Sequence, residues 1–168
     1  ALYRGDPDLR AAHAACAWAL MWDDHEVDND YAGDQSEERD EPALFLQRRA
    51  AAYRAFYENL PLPRRALPYG AWMRLHAQRA FGDLANLLVL DQRQYRSPQA
   101  CPQPHRAGGQ RVTDCAALDR EDRTMLGGLQ EEWLRGQLGA SRARWNLLAQ
   151  GTVMSRMDEL AGPETRFW

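Results

Sequence analysis

The segment Met21-Trp22-Asp23-Asp24-His25-Glu26-Val27-Asp28-Asn29-Asp30 places one histidine and five acids within ten residues, directly after the apolar run Trp18 to Trp22. Carboxylates beside an imidazole are a donor set for a hard or borderline divalent or trivalent cation, whereas a soft metal would require several cysteines. A second polar cluster, Asp91-Gln92-Arg93-Gln94-Tyr95-Arg96, follows the apolar stretch Leu87 to Leu90 in the same way. Open sheets bind ligands at such strand ends. Both clusters are therefore read as chemistry delivered where strands leave the core. A solvated acidic loop is the plain alternative for the first, and a structural ion pair for the second.

The elements that would position these clusters follow from periodicity. Asp6-Pro7-Asp8 caps a first helix on which Leu9, Ala12, His13 and Cys16 recur at helical spacing, with Cys16 expected as an inert buried thiol and His13 as a surface or half-buried side chain. The run Trp18 to Trp22 reads as a buried strand. Residues 32–40 form a polar loop, and Glu41-Pro42 opens a long helix with an apolar stripe of Leu44, Phe45, Ala52 and Phe56 and an opposite face carrying Arg48, Arg49 and Arg54, read as solvated with a phosphate contact as the alternative. Alternation from Trp72 to Gln78, a turn at Phe81-Gly82-Asp83 and the run Leu84 to Leu90 predict a hairpin whose second arm, apolar on both faces, is a central strand. Residues 97–122 are a Pro/Gly-rich loop longer than compact domains usually hold without a local constraint, and Cys101 and Cys115 bracket it. A helix is expected from Thr124 to about Gly139, with Leu129, Trp133 and Leu134 inward, and a further strand over Arg144 to Gln150.

Composition narrows the classes. The 168 residues, 45% hydrophobic with nine prolines, suffice for one domain with a real core. A net charge of -3 gives no broad basic field for nucleic acid. All 21 basic residues are Arg, which carries no functional message here. No stretch approaches the roughly 20 apolar residues of a membrane span, and no signal-peptide pattern appears.

Four separated blocks, Trp22 to Asn29, Leu90 to Arg96, Thr124 to Leu134 and Ser141 to Trp145, stand in an order that resembles the PhoD-type alkaline phosphatases, members of the calcineurin-like metallophosphoesterases. That resemblance implies an α/β (α+β) fold, part of a two-sheet sandwich flanked by helices, and hydrolysis of phosphomonoesters or phosphodiesters with iron and calcium. It implies a phosphate-ester substrate and a secreted or periplasmic enzyme; a monomer is expected, and Cys101 and Cys115, which bracket the long loop, are expected to be joined in that oxidising compartment. Carried over by motif, Asp24 is a metal ligand and His25 protonates the leaving alkoxide. Asp23 is counted with the metal site as a partner that orients His25, Asn29 is a further oxygen ligand, and Arg93 is a fork for phosphate. Other metal motifs of the superfamily do not occur in residues 1–168, so the chain is expected to be a central part of such a domain, inactive and weak in metal binding alone. Two further readings stay open: a metal-free glycoside hydrolase using Asp24 and Glu26, and a non-catalytic interaction module with a Trp/Arg-rich surface.

Overall fold

The computed structural model of the chain describes residues 5–109, 112–113, 115–153 and 166–167. Helix α1, Pro7–Ala15, starts where Asp6 Oδ1 accepts the Leu9 N–H at 2.8 Å, with Pro7 in its first turn. It buries no residue, so Cys16 at its end is exposed rather than the enclosed thiol expected. Helix α2, Pro42–Asn59, is capped by Glu41, whose carboxylate accepts the Leu44 N–H at 3.0 Å. Its buried face is Phe45, Arg49 and Tyr53, at the four-residue spacing that stacks side chains on one side of a helix. Leu44, assigned inward by the sequence, is 62% exposed.

Arg49 corrects the expectation of a solvated arginine face. It is 1% exposed, donates to the carbonyl oxygens of Ala71 and Gly33, and lies over the rings of Trp72 and Tyr53 at 5.0 and 5.6 Å. Two loop carbonyls turned toward the helix would otherwise lack donors, and a guanidinium satisfies both while its plane stacks on aromatic faces.

The hairpin forms as predicted, with a later start. Strands β1, Ala77–Phe81, and β2, Ala85–Val89, are antiparallel in the register Ala77↔Val89, and Gly82 turns the chain at a φ of 57°. Upstream of β1 the chain is extended and keeps the expected alternation, Met73 and Leu75 buried against exposed Trp72 and Arg74, but it joins no ladder. After the two-residue strand β3, Val112–Thr113, helix α3, Gly128–Ala140, carries the chain across to β4, Trp145–Ala149, which pairs parallel to β2. The sheet order β1-β2-β4 makes β2 central, as its two apolar faces required. Strand β5, Arg166–Phe167, pairs antiparallel with β3. Helices with a small three-stranded sheet are the α/β class expected.

Inside α3 the orientation differs from the sequence reading. Leu129 is 87% exposed, and the fully enclosed side chain is the neighbouring Gln130. An amide won the inward position because it closes two bonds to the Asp91 backbone, accepting its N–H at 2.9 Å and donating to its carbonyl at 2.7 Å.

The run Trp18 to Trp22 is extended but is not a strand, and Trp18 is 39% exposed. Only Trp22 is core. It stacks on Tyr53 with centroids 4.1 Å apart and meets Phe56 edge-on, in a cluster with Ala66, Met73 and Leu75. The acid-rich segment is thereby anchored to α2 through one aromatic side chain, whose truncation to Ala would cost about 3–5 kcal/mol.

Candidate active site

Residues 24–30 form a tight turn in which the N–H groups of Val27 and Asp28 bond the Asp24 carbonyl at 2.8 and 2.9 Å. This is the bend that lets adjacent acids take separate directions. Asp24 Oδ2 accepts the Asp30 N–H at 2.8 Å, which closes the turn from within, and Asp30 sits at a φ of 47°, a region that Asp tolerates better than most residues. Glu26 turns back, its carboxylate accepting the Asp23 N–H at 2.9 Å.

His25 crowns this turn with its side chain 79% exposed, above an Asp24 side chain that is 11% exposed. Its Nε2 lies 2.8 Å from Asn29 Oδ1 and 3.9 Å from Asp24 Oδ2. The partner that holds the imidazole is thus Asn29, not Asp23 as expected from the sequence. Asn29 in turn donates its Nδ2 to Glu37 Oε2 at 3.0 Å. A carboxylate only accepts, so this bond fixes which end of the amide faces His25, and the imidazole must carry its proton on Nε2. The Asn29 bond first, and the Asp24 charge second, raise the His25 pKa above its ordinary value. Burial pushes the Asp24 carboxyl up, but the Asp30 N–H and the Arg93 charge outweigh it and leave it below the usual carboxylate range.

Arg93 lies beneath the turn with a side chain only 6% exposed. Its Nε donates to Asp23 Oδ1 at 2.6 Å, and its two terminal nitrogens lie 3.4 Å from Asp30 Oδ1 and 3.6 Å from Asp24 Oδ1. All three edges of the fork are occupied by carboxylates. The ion-pair reading of Arg93 therefore fits the geometry better than the phosphate-fork reading.

The arginine is aimed by Asp91, which is fully buried. Asp91 Oδ1 accepts the N–H groups of Arg93 and Gln94 at 3.1 and 3.0 Å and the Trp22 indole at 3.0 Å. This turn folds back on the end of β2 and ties both polar clusters to one core. Gln94 and Gln92 are buried beside it. Gln94 Nε2 donates to Asp91 Oδ2 and to the Met73 carbonyl, and Gln92 Oε1 receives the N–H groups of Gly151 and Thr152. Sequence reasoning missed these amides and Gln130. The available signal was that Asp91 to Gln94 leave a strand buried on both faces, so their polar groups had to find protein partners.

The long loop reaches the site as well. Arg106 pairs with Glu37, the Ala107 N–H bonds the Glu37 carbonyl at 2.6 Å, and a Cβ on Gly109 would stand 2.3 Å from Glu37 Oε1, so only glycine fits there. Cys101 and Cys115 are bonded across this loop with Cα atoms 6.1 Å apart. A continuous line of contacts runs from Arg106 through Glu37 and Asn29 to His25. The other histidines lie apart: His13 stacks on Trp18, His76 packs on Trp133, and His105 is on the surface. Among the described residues no three His, Cys, Asp or Glu side chains gather around one ion-sized point. No helix among them is long and apolar enough to cross a membrane.

Comparison with known proteins places the chain in a family. The profile of the PhoD-like phosphatases matches residues 1–167. Alkaline phosphatase D of Bacillus subtilis (strain 168) is 46% identical over 150 residues, 89% of this chain and 25% of that protein. A solved structure of PhoD superposes with a TM-score of 0.90 at 38% identity, over 99% of this chain and 31% of the other. The chain therefore spans about a quarter to a third of the length of these relatives.

Proposed function

The chain belongs to the PhoD-like phosphatase family, whose profile spans residues 1–167, and from that premise we propose that it supplies the proton-handling side of the active centre of a phosphoric ester hydrolase. The reaction is hydrolysis of phosphomonoesters or phosphodiesters. The observation that carries this reading is the imidazole of His25, presented to solvent on a rigid turn with Nε2 locked by Asn29 and a carboxylate beneath it. With the Nε2 proton held by the amide oxygen, Nδ1 is the atom free to give a proton to a departing alkoxide. The Asn29 bond and the Asp24 charge both favour the protonated imidazole. Arg93 holds Asp23, Asp24 and Asp30 in place below.

Asp24 fits a hard cation by type: it is an oxygen donor held in its ionised form. Asn29 fits less well, because its oxygen is spent on His25. Asp24 would thus hold one of the metals, iron or calcium as the family resemblance implies. When bound, the cations supply positive charge that stabilises the phosphoryl oxygens in the transition state. Export to an oxidising compartment is proposed on the same resemblance, and the Cys101 to Cys115 bond supports it. Paired carboxylates of the glycosidase type gain no support, since Glu26 turns its carboxylate to the Asp23 backbone and away from a shared substrate face.

The test is His25→Ala in the intact protein, with an alkyl and an activated aryl phosphate compared side by side. The expected result is a fall in kcat of about two to four orders of magnitude, larger for the alkyl ester, with metal content unchanged. Equal losses on both esters would refute the proton-donor role.

A further inference from the structure

Arg96 lies three residues beyond Arg93 on the same polar run, and among the described residues no ion pair meets its charge. The residue is half-buried and its Nε is enclosed without a hydrogen-bond partner, and among the described residues no hydrogen bond or ion pair engages its guanidinium. It is nonetheless close to the acid cluster: burial first, and then the Arg93 charge, depress its pKa, while Asp30, Asp23 and Asp24 pull the other way. Those three carboxylates are already engaged by Arg93. A guanidinium has five donors and no acceptor and does not deprotonate in proteins, so an enclosed one without a counter-ion is costly to keep. Arg93 and Arg96 thus divide the roles that the sequence assigned to one residue. The first is sealed and neutralised, and the second is charged, partly open and unpaired.

We propose that Arg96 is the substrate-binding residue that takes two oxygens of the phosphoryl group through its terminal nitrogens and orients the ester toward His25. This rests on the phosphoester reading above. The ligand chemistry is that of a tetrahedral oxyanion, for which the planar guanidinium fork is matched and a lysine ammonium is not.

The experiment compares Arg96→Gln, Arg96→Lys and the unaltered intact protein in three readouts: steady-state hydrolysis of an aryl phosphate, inhibition by inorganic phosphate, and melting temperature with and without phosphate. Arg96→Gln is expected to raise KM and the phosphate inhibition constant by about 10- to 100-fold, the scale of a lost charge-assisted hydrogen bond. Arg96→Lys should recover only part of that. Without phosphate, Arg96→Gln should melt no lower than the unaltered protein, because it removes an unpaired charge, and the upward shift that phosphate gives the unaltered protein should vanish. A variant that melts several degrees lower with unchanged phosphate affinity would overturn the proposal and make Arg96 a structural cation. Labelling of Arg96 in the unaltered protein by an arginine-selective dicarbonyl reads the same point without any variant: phosphate should protect it, and labelling indifferent to phosphate would also overturn the proposal. An unaltered protein that hydrolyses no phosphate ester refutes the phosphoester reading and this inference with it. An active one with indifferent Arg96 variants refutes the inference alone.

Discussion

Replacing Arg93 with Met tests the electrostatic floor of the site. The side chain is 6% exposed, and its carboxylate partners differ in shielding, with side-chain exposures of 11% for Asp24, 18% for Asp30 and 42% for Asp23. At an effective dielectric constant of about 20, unit charges about 4 Å apart attract by about 4 kcal/mol before desolvation is counted. Desolvation of the arginine offsets much of that in the native protein. Its removal strands two enclosed carboxylates, which costs about 3–5 kcal/mol, whereas the well-exposed Asp23 adds under about 1 kcal/mol. The melting temperature at neutral pH should then fall by about 6–20 °C, at about 2–4 °C per kcal/mol for a chain of this size. The pH dependence fixes the cause. Because Asp24 titrates below its ordinary value in the native protein, its stabilising contribution is present above the unfolded pKa and is lost as pH falls through the folded one. In Arg93→Met the carboxyl no longer feels the arginine and takes up a proton at higher pH, so the deficit should shrink as pH falls through the carboxylate range, toward and below about pH 4. Urea titrations of both proteins across that range decide the matter. A deficit under about 1 kcal/mol at pH 7, or one that grows on acidification, would refute the reasoning.

Two further outcomes are expected. The Cys101 to Cys115 bridge closes a loop with a sequence separation of 14 and should contribute about 3 kcal/mol in the chain-entropy picture; mass spectrometry of an unreduced digest of exported protein should find the linked peptides, and two free thiols there would contradict it. His76 is pushed below its ordinary pKa by burial and then by Arg74, and its buried Nδ1 lacks a partner, so its neutral form is favoured in the fold and its contribution is full above about pH 6.5 and declines as pH falls toward the folded value. His76→Phe should remove that acid-side decline while leaving the protein about as stable at pH 7.5, and an unchanged decline in the variant would show that another group causes it.

The sequence determined the site-bearing segments and most of the scaffold. Acids and an imidazole packed into Asp23 to Asp30, and the polar run after the two-faced apolar stretch Leu87 to Leu90, marked the two segments that the fold brings together as the candidate site, because apolar periodicity ends at each. Helix caps at Asp6 and Glu41, the Gly82 turn and the bracketing cysteines were legible for the same reason: local conformational preferences act within a few residues. Tertiary structure decided which polar groups meet. Nothing local says that Asn29 rather than Asp23 reaches His25, that Arg49 leaves solvent to serve the carbonyls of Gly33 and Ala71, or that Gln130 turns inward while Leu129 is exposed. The Arg49 and Gln130 assignments follow from the demand for partners by enclosed polar groups 16 to 39 residues away in sequence, which a one-dimensional pattern does not carry, and Asn29 is turned to His25, four residues away, by its bond to Glu37. The same rule separated Arg93, closed off by three carboxylates, from Arg96, which is half-buried and has no ion-pair partner among the described residues.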